Sequence, residues 1–417
     1  MSREHRSLAR CVLLATALAL VAACSKDKDV DRPAPLSNIR STLEVRHAWS
    51  ASLEDRKARP LRLGLDVAVT EGRVYAAGHR GDVLALDLKT GRTLWRTRTR
   101  SPLSGGVAVG ASLVAVGAAN GEAIALDQQT GAVRWRTRLN GEILAAPAIS
   151  ERVVAYRTVD GKIHGLAPGD GHELWSQEQQ VPRLSLRGTS TPVLAGDLAV
   201  CGFDNGKVMA VNLNDGSMQW EATIAPPHGR TELERLVDID SAVRVVGQDV
   251  YAVGFQGKVA MLALDNGQIW WSHDSSSYRN PGVDDEALYL SSSDGEVVAL
   301  RRRTGAEIWR QKALLHRGLT GVAPTPNGLV TADAQGYVHW LDRESGALLA
   351  RVRAGRRRIS NAPVAVGDMV LVVNDEGQIR AFRVTPLHGA PAARKAAAAA
   401  EPTAAAEPTA ADGAGGS

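Results

Sequence analysis

The chain has 417 residues, 49 Lys and Arg against 45 Asp and Glu, and 44% hydrophobic residues. That is the composition of a soluble globular protein rather than a disordered or membrane-spanning one, and a net charge of +4 is too even for a dedicated nucleic-acid binder. Trp supplies 9 of the 18 aromatic residues, a skew that gives Trp one recurring structural job.

Arg3, Arg6 and Arg10 precede an apolar run from Cys11 to Ala23. The run suits a signal-peptide core and is shorter than the ~20 residues of a membrane span. It ends Val21-Ala22-Ala23-Cys24, the pattern of a bacterial lipobox, where small residues admit the signal peptidase and the Cys thiol receives a diacylglyceryl group. Residues 1–23 are therefore expected to leave as a lipoprotein signal peptide, with Cys24 carrying the lipid. Two or more acyl chains at about 0.8 kcal/mol per buried CH₂ make a stable anchor. Ser25, rather than Asp, after the Cys points to the outer membrane. Losing Arg3, Arg6, Arg10 and Glu4 leaves a mature balance of 46 − 44 = +2. Residues 24–40 read as a lipidated tether.

From Gly81 one frame repeats: Gly81-Asp82-Val83-Leu84-Ala85-Leu86-Asp87, then Thr90-Gly91, then Trp95. It restarts at Gly121, Gly161, Gly206, Gly257, Gly295, Gly336 and Gly377, at intervals of 40, 40, 45, 51, 38, 41 and 41 residues. A period near 42 fits a four-stranded propeller blade. The opening Gly suits a tight hairpin needing positive φ. The strand after it is apolar on both faces, as stacked blades require. An Asp-x-x-Thr-Gly turn then leads to an outer strand bearing Trp95, Trp135, Trp175, Trp220, Trp271 or Trp309, always 14 residues after the opening Gly. Asp87, Asp127, Asp265 and Asp342 read as turn caps rather than catalytic carboxylates.

Two departures carry information. The seventh frame has Ala350 where Trp is expected, with Trp340 available on the neighbouring strand. The eighth frame stops after Phe382, while an unmatched outer-strand pattern, Leu43-Glu44-Val45-Arg46-His47-Ala48-Trp49, stands at the other end. Residues 41–385 are thus expected to form an all-β, eight-bladed β-propeller of four-stranded antiparallel blades, closed by the N-terminal strand. Residues 386–417, rich in Ala and Pro, have too few large apolar groups to offset chain entropy, and disorder is expected there.

Motifs for chemistry are missing from the sequence: it has no His-Glu-x-x-His, zinc-type Cys pair or phosphate loop. With Cys11 removed and Cys24 acylated, Cys201 is alone in an apolar run and reads as a small buried hydrophobe. Neither catalytic nor metal-binding residues are assigned. The five Arg between Arg351 and Arg358 suit a solvated loop or attraction to anionic lipid head groups.

Loop length is more informative. From each closing Trp to the next opening Gly the chain takes 26, 26, 31, 37, 24 and 27 residues, so two consecutive connections are oversized. Long loops in a compact domain are usually functional or disordered. The first contains Pro182-Arg183-Leu184-Ser185-Leu186-Arg187-Gly188. The second contains Thr231-Glu232-Leu233-Glu234-Arg235-Leu236-Val237-Asp238-Ile239-Asp240. Their leucines and charges suit a protein-binding patch with an apolar centre and charged rim. They equally suit loops folded down over the channel, with Leu184 and Leu186 buried and Asp238 paired to Arg235.

The Gly-x-(Val/Ile)-x-Ala-Leu-Asp-x-x-Thr-Gly-x-x-x-Trp frame resembles the repeat of pyrroloquinoline-quinone enzymes and their non-enzymatic relatives. The lipobox at Cys24, the two long-loop segments, Leu314-Leu315-His316-Arg317 and Gly336-Tyr337-Val338-His339-Trp340 resemble the BamB family of outer-membrane lipoproteins over roughly residues 24–385. The resemblance implies a non-catalytic, cofactor-free scaffold, lipid-anchored at the periplasmic face of the outer membrane. It would be a monomer within the β-barrel assembly complex, binding the POTRA domains of BamA and helping nascent outer-membrane proteins insert. It also implies that Leu184, Leu186, Arg187, Asp238 and Asp240 contact BamA, with Arg235 beside them, the leucines supplying apolar contact and the charges orientation. Rival classes are a quinoprotein oxidoreductase, whose usual vicinal disulfide a lone Cys201 cannot form, and a periplasmic sensor or binding propeller.

Overall fold

The computed structural model describes residues 31–53, 66–182, 189–226, 231, 239, 241–255, 257–277 and 279–387. Within them the chain forms eight four-stranded antiparallel sheets. Blade 1 runs from Val67–Thr70 through Arg73–Ala77 and Asp82–Asp87 to Thr93–Arg98, and blades 2–7 repeat this order outward from the axis. The third strand of blades 1–7 is buried on both faces, as in Asp82–Asp87 and Lys207–Asn212. Alternation of side chains lets both faces meet a neighbouring blade, which explains the continuous apolar run in the frame.

Blade 8 is built from both ends of the domain. Val364–Val366, Met369–Val373 and Gln378–Pro386 supply its inner three strands, and Leu43–Ser52 pairs antiparallel with Gln378–Pro386 as the fourth. The expected closure by the N-terminal strand is present. Because each blade has four strands, connections between blades and the hairpins at the opening Gly share one face of the ring. The Thr-Gly turns lie on the other.

The Trp residues lock each blade to the next. Indole N–H groups of Trp49, Trp95, Trp135, Trp175, Trp220, Trp271 and Trp309 donate to carbonyls of Leu88, Gln128, Pro168, Leu213, Leu264, Arg302 and Arg343, at 2.7–3.1 Å. The rings of six of them lie over the turn glycines Gly91, Gly131, Gly171, Gly216, Gly267 and Gly346 of the following blade, and Gly305 receives His273 and Trp271. These glycines have φ of +68° to +76°, so they supply both the left-handed turn and a flat seat for the ring. Burying such a ring stabilises the junction by a few kcal/mol.

A bulge aims each Trp. Ala85 pairs with Trp95 but Leu86 with Thr93, leaving Leu94 as the extra residue, and the register shifts at the same place in every blade. The extra residue turns outward, which accounts for exposed Leu94, Leu174, Trp270 and Ile308.

Blade 7 inverts the pairing. Trp340, fully buried on its third strand, stands directly opposite Ala350, where every other blade except blade 5, with Met261, places Ala or Gly opposite Trp. Blade 8 has no Thr-Gly turn for a blade 7 Trp to lie on, because chain ends occupy that place. There the Thr42 N–H donates to the Leu349 carbonyl at 2.9 Å, and the Leu387 N–H to the Thr42 carbonyl at 2.9 Å. Of the expected turn caps, Asp87, Asp127 and Asp342 accept from the backbone N–H three residues on, at 2.8, 2.8 and 2.9 Å. Asp265 does not share their position. Ala263 occupies it in blade 5, and Asp265 lies two residues further along the turn than the repeat frame predicts.

Candidate functional site: two long connections on one face

The two oversized connections join blade 3 to blade 4, between Glu173–Glu178 and Val193–Ala195, and blade 4 to blade 5, between Met218–Thr223 and Arg244–Val246. Both leave the face that carries the opening-Gly hairpins. The partner-binding residues expected from sequence, Leu184, Leu186, Arg187, Arg235, Asp238 and Asp240, lie outside the described residues, as does Cys24. What the structure does place is the base on which both connections stand.

That base is tightly made. The Ser190 hydroxyl, on the return arm of the first connection, donates to the Ser241 carbonyl on the return arm of the second at 3.0 Å. The Ser241 hydroxyl in turn donates to Val253 in blade 5 at 2.9 Å. Ile239, between Asp238 and Asp240 in sequence, is fully buried among Val200, Val208, Val243 and Val250. Gly202 makes room for it, since a Cβ there would lie 2.5 Å from the Ile239 side chain. The outgoing arm of the first connection is held by the Asn205 amide, which donates to the Gln180 carbonyl at 2.9 Å.

Beneath the hairpin between the two connections lies a buried ion pair, Arg157 to Asp204 at 3.2 Å, with the Arg157 guanidinium 4.4 Å above the Phe203 ring. Removing one partner of a buried pair strands the other charge, so this pair fixes how the Phe203–Gly206 hairpin sits. Cys201 is buried beside it, and burial pushes its thiol up to about 11. A thiol so placed is neither nucleophile nor ready ligand. Cys201 thus packs as the apolar residue expected.

The axial channel opens on the same face. A cavity of about 170 Å³ there is bordered by Asp66 of blade 1, Thr189 of the first long connection, and Arg279 and Asn280 before blade 6. Removal from bulk water lifts the Asp66 carboxyl to about 6, against a backbone hydrogen bond from Val67 and the field of Arg244, both of which lower it. Desolvation within the channel likewise depresses the Arg244 guanidinium, whose Nε donates to the Pro281 carbonyl at 2.9 Å. Asp66 and Arg244 stand at the starts of opposite blades, 1 and 5, and the field of Arg244 reaches the Asp66 carboxyl. Neither was singled out from the sequence, because only their places at the starts of inner strands bring them together. Among the described residues no group of three or more His, Cys, Asp or Glu could hold a metal ion.

Comparison with known proteins decides the family. The family model described as outer membrane protein assembly factor BamB matches residues 44–105, 79–311 and 293–388. The chain belongs to the BamB family. Its relatives named outer membrane protein assembly factor BamB include one from Kangiella koreensis, 40% identical over 373 residues, covering 89% of this chain and 96% of that protein. Another, from Pseudomonas aeruginosa, is 41% identical over 372 residues, covering 89% and 98%. The crystal structure of BamB from Moraxella catarrhalis superposes with a TM-score of 0.74 at 27% identity, over 82% of this chain and all of that one. A quinohemoprotein alcohol dehydrogenase from Comamonas testosteroni shares the propeller at a TM-score of 0.64, with 14% identity over 82% of this chain and 76% of that one, a likeness of fold alone.

Proposed function

We propose that this BamB-family chain is a non-catalytic scaffold lipoprotein of the outer-membrane β-barrel assembly complex. In this reading it is anchored through Cys24 at the periplasmic face of the outer membrane. It binds the POTRA domains of BamA through Leu184, Leu186, Arg187, Arg235, Asp238 and Asp240, and so helps nascent outer-membrane proteins fold and insert. The observation that carries the reading is the shared base of the two long connections. They leave adjacent junctions on one face, bond to each other through Ser190 and Ser241, and are pinned by Ile239.

A base of this kind fixes where the two connections leave the ring, which favours their meeting one partner together. The sequence carries no cofactor-binding motif, and the reading needs no cofactor. Co-purification of BamA with the natively processed chain tests it. Recovery of BamA with wild type, and its loss with Leu184→Asp at unchanged chain level, is the expected result. Equal recovery with both would remove the leucines from the interface.

A further inference from the structure

The segment that follows the expected lipid site is not a free leash over its whole length. From Asp31 to Thr42 it lies along the outer strand of blade 7, crossing from the face of the long connections to the opposite one. The Ala34 N–H donates to the Leu315 carbonyl at 2.9 Å, and Arg317 Nη1 donates back to Ala34 at 2.9 Å. Arg351 Nη2 donates to the Ser37 carbonyl at 2.6 Å, and Thr42 is bound to Leu349.

Arg317 is itself buried and fixed, 2.8 Å from Asp333 through Nε, while His339 Nε2 lies 3.0 Å from the same carboxylate oxygen. Asp31 stands 3.9 Å from His316, at the connection into blade 7. Cys24 is seven residues earlier in the sequence, at most about 25 Å of extended chain.

The same blade 7 hairpin, Asp333 to Gly336, carries a second feature on its other side. The Gly355 and Arg357 carbonyls press on Gly336, at 2.6 and 2.8 Å from where its Cβ would be, and the Ile359 N–H reaches the Asp333 carbonyl at 3.4 Å. This seats the connection into blade 8 beside the docked N-terminal segment. Arg353, Arg356, Arg357 and Arg358 are all exposed there. Arg357 pairs with Glu376 at 2.9 Å. Arg353 lies over the Tyr337 ring at 5.1 Å.

We propose that this corner of the ring, the Arg353–Arg358 connection beside the docked N-terminal segment, is a contact surface for anionic phospholipid head groups. The anchor's short reach from Asp31 favours a bilayer over an acidic protein as its occupant, which rests on the reading that Cys24 is acylated. One acyl anchor and one basic patch on the same corner are the two signals that together hold a protein against a membrane. The contact orients the ring as well as holding it. The face with the long connections turns toward the membrane, with blade 4 lying three blades round from blade 7.

The test uses the natively processed full chain with one fluorophore, on Gly355→Cys or, as control on the opposite face, Lys89→Cys. Buried Cys201 escapes labelling. Vesicles of phosphatidylcholine alone, or mixed with phosphatidylglycerol, carry a quencher at the head groups. Flotation with phosphatidylcholine vesicles reports the anchor by itself. Quenching at position 355 in phosphatidylglycerol vesicles reports the patch, whether or not the anchor is present.

The expected result is quenching at 355 several-fold above that at 89. Arg356→Glu with Arg358→Glu should lower it at least threefold (about), as should about 0.5 M salt, where screening shortens to a few ångström. Equal quenching at the two positions, or quenching indifferent to the charge reversal in a variant that keeps its wild-type melting temperature, would overturn the proposal. Failure to float with phosphatidylcholine alone would count against the anchor instead.

Discussion

Burial in the ring holds Asp66 partly protonated near neutral pH, and the sign of its effect on stability follows. Its carboxyl rises from the ordinary 3.8 to about 6 on folding, so the folded state binds the proton more tightly than the unfolded chain does. The resulting stabilisation is fully present below about pH 4 and is lost as pH rises through about 6. Asp66→Asn should therefore be more stable than wild type at pH 8, by up to roughly 2–3 kcal/mol for a shift of this size. Melting curves of the two should converge below pH 4, and a constant gap across pH would show that the carboxyl is not perturbed.

The rung of Trp340 and Ala350 makes a second residue-scale prediction. Trp340→Ala should cost about 3–5 kcal/mol by leaving a cavity, read as a lowered midpoint in denaturant. Adding Ala350→Trp should recover little. Blade 8 offers no turn glycine as a seat for that ring, so full rescue would mean the rung alone sets the junction. Ala350 was legible as an exception in the sequence, and Trp340 as its replacement. The reason for the exception was not, because it lies in the crossing of Thr42 and Leu387, 345 residues apart in the chain.

Strands and turns were the most legible elements because eight copies reinforce one another. Spacing from opening Gly to Trp held through six blades, and the pairing confirms that each frame is a third strand, a turn and an outer strand. The bulge that aims each Trp is invisible in a single copy, since the extra residue, as in Leu94 or Trp270, is apolar and exposed. Asp265 shows the opposite failure, a residue of the right type displaced by two positions and assigned to the wrong place.

Turn glycines separate two costs. Gly216→Ala would meet both its positive φ of 71° and the Trp175 ring, 2.8 Å from the new methyl group. Gly196→Ala, with φ of 59° and nothing within 4 Å, would meet only the first, about 1–2 kcal/mol. The melting temperature should fall clearly further for Gly216→Ala. Equal losses would mean that the Trp seat contributes nothing at that junction.

At the scale of the whole molecule, ring closure by Leu43–Ser52 couples the N-terminal segment to the fold. The chain passes along blade 7, enters blade 8, and only then begins blade 1. The segment from Asp31 to Thr42 is therefore tied to one corner of the propeller, where sequence alone presented a tether. The two long connections were legible by length, because a repeat makes any insertion conspicuous. Their shared base was not, since Ser190, Ile239 and Ser241 carry no motif and are recognisable only by what they touch.

In the proposed function these two connections form one protein-binding surface on the propeller. Titration calorimetry of the mature chain against the BamA periplasmic domains tests it most directly, with Leu186→Asp and Asp238→Arg in parallel and each fold checked by circular dichroism. Binding by wild type, lost in both variants while all three keep the same β spectrum, is the predicted result. Folded wild type that does not bind, or variants that bind as tightly as wild type, would contradict it.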